Sequence, residues 1–224
     1  MSMEIEGSRA RRRWLFACEF LLGAAIVVGH NVFRIVPNEV PILVGLGLLS
    51  NRLWTGSWRV TSLRRPPSWP RVLTIALAAA ISRILVGDFV IEPLTSRFWP
   101  PIVAPAGANE IAGNIGNAAI ALLIVWTFAA FGEEFAYRGY LLSRAADAGG
   151  GSAAARWAAV LAVAVLFGIG HYYKGPAGVL DSAVAGLILG AAVLLSRRNL
   201  WAAVLAHGLI DTFSVVALYF RWQS

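Results

Sequence analysis

The chain is short of charge, of cysteine and of any polar tract long enough to make a soluble domain. Only 14% of its 224 residues are charged, against 58% hydrophobic, a ratio that excludes an ordinary soluble domain and a disordered chain alike. One cysteine, Cys18, rules out an intrachain disulfide framework; lying in an apolar run, it reads as a small buried apolar residue. The net charge of +7 invites a nucleic-acid reading, but the basic residues cluster between apolar segments, and no basic face with interleaved aromatics can be traced. Internal repeats and low-complexity tracts are also missing. The first apolar run follows Arg9, Arg11, Arg12 and Arg13 as a signal peptide would. No small-residue cleavage site follows it, so a retained helix is expected.

What is present is a series of apolar runs. A helix crosses the hydrocarbon core in about 20 residues, and by that rule about seven spans are predicted: 14–29, 40–54, 72–91, 114–146, 153–170, 177–195 and 200–220. The fold class is therefore all-α, a polytopic transmembrane helix bundle without a soluble domain. The basic stretch 55–71, with Arg59, Arg64, Arg65 and Pro66-Pro67, is expected to be a loop. So is the stretch 92–113, with Pro93, Pro100, Pro101 and Pro105 and with Trp99 at the boundary.

Counting Lys and Arg on alternate sides of this arrangement gives thirteen on one and four on the other. The N-terminus is therefore expected in the cytoplasm, and a multi-pass protein of the bacterial inner membrane is the natural setting.

Within the fourth run, TFAAFGEEFAYRGYLLSR (127–144) places two carboxylates and an arginine among apolar residues. Ionised groups there cost several kcal/mol each and need partners, a water-filled cavity or a function. Ending the helix at Phe131 would put them among headgroups. Continuing it to Ala146, before the Gly149-Gly150-Gly151 break, gives about 30 residues and about 45 Å and puts Glu133 about 16 Å from the level of Arg144. His171 then lies about 22 Å from Arg156, and His207 about 13 Å from Arg198, so polar groups from three helices overlap in depth.

Glu134 and Arg138 stand i, i+4 with the carboxylate first, the favourable order for a local ion pair. Glu134 is accordingly assigned to holding Arg138. Glu133, about 100° round an α-helix, is left to face a cavity, with Tyr137 at i+4 expected to hydrogen-bond to it or to line the same face. Phe167 and His171 repeat the spacing, as do His207 and Asp211. An imidazole beside a carboxylate one turn away is fixed for proton transfer or for donation to an oxyanion, or else simply hydrogen-bonds between helices. Glu19, Arg83, Asp88 and Asp181 read as structural polar groups, and His30 as a solvated interfacial one.

Glu133-Glu134-x-x-x-Arg138, Phe167-x-x-x-His171 and His207-x-x-x-Asp211, in that order on successive segments, resemble the CPBP family of intramembrane proteases. That family includes CAAX prenyl-protein endoproteases and bacterial relatives of bacteriocin maturation or self-immunity. The resemblance covers 114–220, a catalytic core, and leaves 1–113 as N-terminal helices and loops.

It implies a glutamate-dependent endopeptidase whose cavity opens toward the cytoplasm and the lipid, acting on a peptide or protein in or at the membrane. Glu133 would activate water, His171 would hold that water and His207 would face the oxyanion, with Glu134 and Arg138 supporting. Asp211 stands where the family also uses Asn. An ionised Asp cannot donate to an oxyanion, so this position orients His207 or binds water unless it is protonated. No cofactor is implied. Glu133, His171 and His207, with Asp211, would also serve as nitrogen and oxygen ligands for zinc, although the compact His-Glu-x-x-His helix is missing. Outside catalysis, the same groups would suit a membrane protein that binds or sequesters a peptide, or less readily a transporter.

Overall fold

The computed structural model describes residues 2–58, 60–100 and 107–222; Arg59, Pro101, Pro105 and the last two residues of the C-terminal tail lie outside them. Seven helices carry the architecture: α1 Ser2–Asn31, α2 Glu39–Thr55, α3 Trp69–Thr95, α4 Ile115–Ala148, α5 Ala153–Ile169, α6 Gly175–Leu195 and α7 Trp201–Phe220. No strand occurs among the described residues. The chain is an all-α polytopic membrane bundle. Five of its helical stretches are long and apolar enough to cross a membrane, namely Gly7–Asn31, Trp69–Thr95, Ile115–Ala148, Tyr172–Leu195 and Trp201–Phe220. Helices α2 and α5 have 17 residues each and reach about 25 Å, the short end of the spanning range.

The boundaries follow local chemistry. Asn38, Ser68, Asn114 and Ser152 accept backbone N–H groups at the starts of α2, α3, α4 and α5, satisfying donors that have no partner within the helix. Beyond α4, Gly150 (φ 86°) and Gly151 (φ 71°) adopt left-handed conformations, and the Gly151 N–H bonds the Ala146 carbonyl at 2.8 Å. Side chains with a Cβ rarely adopt that geometry, which is why three glycines end the helix. The expected loop over 92–113 is shorter than its prolines suggest. Glu92–Thr95 continues α3, and Ala108–Ile111 forms a helical turn. Pro93 falls directly after the π-helical segment Gly87–Ile91, two residues before this helix ends.

Helix α4 holds the bundle together, and its two halves differ. Ile115, Ile120, Leu123, Ile124 and Phe128 are exposed, as a lipid-facing half requires, whereas Phe135 to Leu142 is almost entirely buried. One face of that second half joins a core with Val27 of α1, Leu43 of α2 and Val160, Val163 and Phe167 of α5. Phe135 joins another, with Val72 and Ala76 of α3, Leu189 and Val193 of α6 and Ala203 of α7. The two α4 segments Val125–Glu133 and Phe135–Leu141 are π-helical; the Leu142 N–H, for example, reaches back five residues to the Tyr137 carbonyl.

Small residues allow the close approaches. A Cβ on Gly186 would come within 2.9 Å of the Ala164 Cα on α5, so α5 and α6 pack almost backbone to backbone. On α7, Gly208 makes room for the Trp126 indole, which would lie 2.5 Å from an added Cβ. The Trp126 Nε1–H also donates to Thr212 Oγ1 at 3.2 Å, tying the exposed half of α4 to α7.

The arginines gather at one end. Arg13 donates to the Ala148 carbonyl at 2.9 Å and Arg71 to the Leu195 carbonyl at 3.0 Å, each satisfying an oxygen left over at a helix C-terminus. Glu19 receives Ser50 Oγ–H, Trp54 Nε1–H and Arg144, and Arg83 pairs with Asp181 between α3 and α6, so these polar groups do serve the packing. Two expectations fail. Cys18 is exposed on the outer face of α1 rather than buried, which in a membrane still means an apolar setting. His30 is not simply solvated: its Nδ1 meets the Val36 carbonyl at 2.9 Å and its Nε2 lies 3.3 Å from Glu39.

Candidate active site

The second half of α4 supplies Glu133, Glu134 and Arg138, the end of α5 supplies Phe167 and His171, and α7 supplies His207 and Asp211. Glu134 and Arg138 form the expected pair, Arg138 Nη1 donating to Glu134 Oε1 at 2.7 Å, with both side chains 0% exposed. The assignment of Glu134 to Arg138 alone was incomplete. The same Oε1 lies 2.8 Å from His207 Nδ1. Because an ionised carboxylate only accepts, Nδ1 carries a proton toward Glu134, and Nε2 is turned to the other side. There Nε2 lies 3.5 Å from Asp211 Oδ2. His207 is thus held between two carboxylates on different helices.

Phe167 explains why an aromatic precedes His171 by one turn. Its ring meets Tyr137 edge-on at 5.1 Å, His171 at 4.7 Å and His207 edge-on at 6.1 Å, and it carries the Arg138 guanidinium 4.2 Å from its centroid. A buried cation over an aromatic face gains electrostatic stabilisation that an aliphatic neighbour would not give. Arg138 Nη2 also donates to the Gly186 carbonyl at 3.4 Å, so the close α5–α6 contact and the charged cluster share a wall.

His171 lies in the turn between α5 and α6, where Nδ1 donates to the Phe167 carbonyl at 2.8 Å, the carbonyl being able only to accept. Burial, and next the Lys174 ammonium, push its pKa down to about 3. The ring is therefore neutral at physiological pH, with Nε2 an acceptor. Tyr172 and Tyr173 flank the turn and are exposed. Glu133 is half-buried, and its Oε2 is buried without a hydrogen-bond partner among the described residues. It lies within electrostatic range of His207, Asp211, Glu134 and Arg138. Asp211 is the more open end of the cluster, with a side chain 30% exposed.

Three expectations need correction. Tyr137 does not bond Glu133; its hydroxyl donates to Glu39 Oε1 at 3.4 Å, and Glu39 also accepts from Asn31 at 3.0 Å. Sequence reasoning missed Glu39, because an acidic residue opening an apolar helix looks like an ordinary partner for the helix dipole. Its burial depends on tertiary contacts alone. Next, the separation of Glu133 and Glu134 by about 100° belongs to α-helical geometry, whereas Glu133 ends one π-helical segment and Glu134 precedes another. Such bulges often accompany functional sites.

The third correction concerns the cavity. A cavity of about 290 Å³ lies at the basic end of the bundle, and of the site residues only Arg138 lines it. Glu133, His171, His207 and Asp211 do not line it. No group of three or more His, Cys, Asp or Glu side chains placed to hold a metal ion occurs among the described residues.

Fold and site together define a polytopic membrane protein with a buried carboxylate–imidazole–guanidinium cluster. Residues 115–213 match the family model described as Rce1-like: Type II CAAX prenyl endopeptidase Rce1-like. This stretch, which contains every residue of the three motifs, is similar to that family of CAAX-type membrane proteases. Neither the curated proteins nor the solved structures compared with the chain gave a match.

Proposed function

We propose that the chain is an intramembrane endopeptidase that cleaves a peptide bond of a membrane-associated substrate with water activated by Glu133. The observation that carries this reading is the Glu133 carboxylate, whose Oε2 is buried without a hydrogen-bond partner among the described residues, within electrostatic range of a His207 imidazole that Glu134 already orients. Glu134, its neighbour, bonds both Arg138 and His207 through Oε1 and is thereby assigned to holding them.

In this mechanism Glu133 takes a proton from a water that His171 Nε2 accepts from and holds. The hydroxide attacks the carbonyl carbon, and the developing oxyanion is met by His207 Nε2–H. Glu133 then returns the proton to the leaving nitrogen as the C–N bond breaks. With Glu134 fixing Nδ1, Nε2 of His207 is the nitrogen available to the oxyanion. Asp211, as a carboxylate, holds that imidazole rather than donating itself. The basic end of the bundle faces the cytoplasm, since its arginines outnumber those of the other end. The substrate is a peptide or protein at that membrane, a prenylated C-terminal tail being the case that the family suggests.

Replacing Glu133 by Gln removes the base while keeping size and hydrogen bonding. Turnover of a matched substrate should fall by about 10²–10⁴-fold or more with the protein still inserted and folded. Undiminished turnover would refute the assignment. A Glu133→Gln protein that cleaves nothing yet still produces the cellular effect of the wild type would favour a peptide-binding role instead.

A further inference from the structure

The cavity of about 290 Å³ at the basic end has walls from α1, α2, the α2–α3 connection, the end of α4 and the turn after α6. Six arginines line it, Arg12, Arg64, Arg138, Arg144, Arg197 and Arg198, against a single acid, Asp147. Two of the six are neutralised locally, Arg138 by Glu134 and Arg144 by Glu19 and Asp147. Arg12, Arg64, Arg197 and Arg198 have no carboxylate partner among the described residues; Arg64 donates only to the Arg197 carbonyl, at 3.4 Å, and Arg12 stacks 5.4 Å from the Trp54 ring. Polar capacity is also unused in the walls. Ser62 Oγ and Arg138 Nε are buried without hydrogen-bond partners.

A general excess of arginine at this end accounts for the sign of the charge but not for its convergence on a cavity. Arg65 and Arg156 belong to the same end and do not line it. Arg197 and Arg198 moreover both stand at φ 61°, a left-handed conformation that residues with a Cβ adopt at some expense and that tends to persist where surrounding structure requires it.

We propose that this cavity binds a phosphate group. Several guanidinium forks around one space suit a group with multiple acceptor oxygens, and a basic pocket between helices at headgroup level is where an anionic phospholipid presents one. Free phosphate offers the same chemistry. A choline headgroup does not, since its cation would meet uncompensated arginines.

The test uses the purified full chain in detergent. Its thermal midpoint is titrated with phosphatidylglycerol, with phosphatidylcholine and with inorganic phosphate, and the same is done for two variants of equal charge. Arg197→Asn/Arg198→Asn removes two lining cations while tolerating the left-handed backbone; Arg65→Gln/Arg156→Gln removes two outside the cavity. At about 1 kcal/mol per arginine near a charged headgroup, the lining variant should bind phosphatidylglycerol about 30-fold more weakly, and the outside variant within about threefold of wild type. If the lining double variant does not fold, Arg64→Gln is read in its place, with about fivefold weakening expected. Preference for phosphatidylglycerol assigns the site to a lipid, and saturation by inorganic phosphate alone assigns it to the free anion. Equal weakening in both variants overturns the proposal by reducing it to diffuse attraction, as does binding of neither phosphatidylglycerol nor phosphate in preference to phosphatidylcholine.

Discussion

Adjacent carboxylates with opposite assignments make a stringent test, and the Glu134–Arg138 pair allows it to be quantified. Both side chains are 0% exposed and the contact is 2.7 Å, so neither charge can recover water if the other is removed. Arg138→Met keeps length and apolar contact with Phe167 but leaves Glu134 facing only His207. Breaking a buried pair from one side costs about 3–5 kcal/mol, because the remaining charge is uncompensated. Glu134→Gln should cost less, since the amide oxygen still accepts from His207 Nδ1 and from Arg138, yet it leaves a buried cation and should still exceed about 1 kcal/mol. In the double variant neither charge remains. Its loss should fall short of the sum of the singles by about 2 kcal/mol or more, within the range seen for coupled residues in one network. The assay is reversible unfolding in mixed detergent micelles, with helicity followed across the transition. Glu133→Gln is the internal comparison and should stay within about 0.5 kcal/mol of wild type while losing turnover. Additivity of Arg138→Met and Glu134→Gln to within about 0.5 kcal/mol would refute the claim that this pair is a structural unit separate from the base.

The remaining predictions concern the open side of the cluster. Asp211→Asn keeps an acceptor near His207 Nε2, at the position 3.5 Å away in the wild type, so kcat/KM should stay within about tenfold of wild type. Asp211→Leu should lose more than that, about 1.4 kcal/mol or beyond, and equal activities of the two would remove Asp211 from the mechanism. His171 has a pKa pushed down to about 3 by burial and next by Lys174, against about 6.5 in an unfolded chain. Between those values the unfolded state binds the extra proton, so stability is full above pH 6.5 and falls as pH drops, by at most about 1.4 kcal/mol per pH unit. His171→Gln should flatten the pH dependence of unfolding between about pH 3 and 6.5; an unchanged slope would contradict the burial argument. Prolonged chelation should leave turnover unchanged, and activity lost to a chelator and restored specifically by zinc would reverse the preference for metal-free catalysis.

The legibility of this chain depended on which interactions were local. Hydropathy marks the helices because about 20 apolar residues have few other uses, and the continuation of α4 through Glu133 follows from the three consecutive glycines that end it. The Glu134–Arg138 pair was readable for the same reason, being one helical turn apart. Contacts across the bundle were not. Glu134 to His207 spans 73 positions and Tyr137 to Glu39 spans 98, and neither leaves a periodic trace in one sequence. The π-helical segments of α4 were hidden too, since their residues have ordinary helix-forming composition and the altered pitch depends on what α4 packs against. That pitch in turn bears on the function proposed. Glu134 lies between the two widened segments, where it can reach Arg138 below it and His207 across from it with one oxygen. Holding it there leaves the preceding carboxylate outside that ion pair, with its Oε2 unpartnered among the described residues. If this is right, restoring ordinary α-helical pitch by deleting one residue from 125–131 would turn Glu133 away while leaving Glu134 and Arg138 paired. Such a deletion should abolish turnover while the His207-coupled stability of the pair is largely kept; retained turnover would show that the bulges play no part in separating the two glutamates.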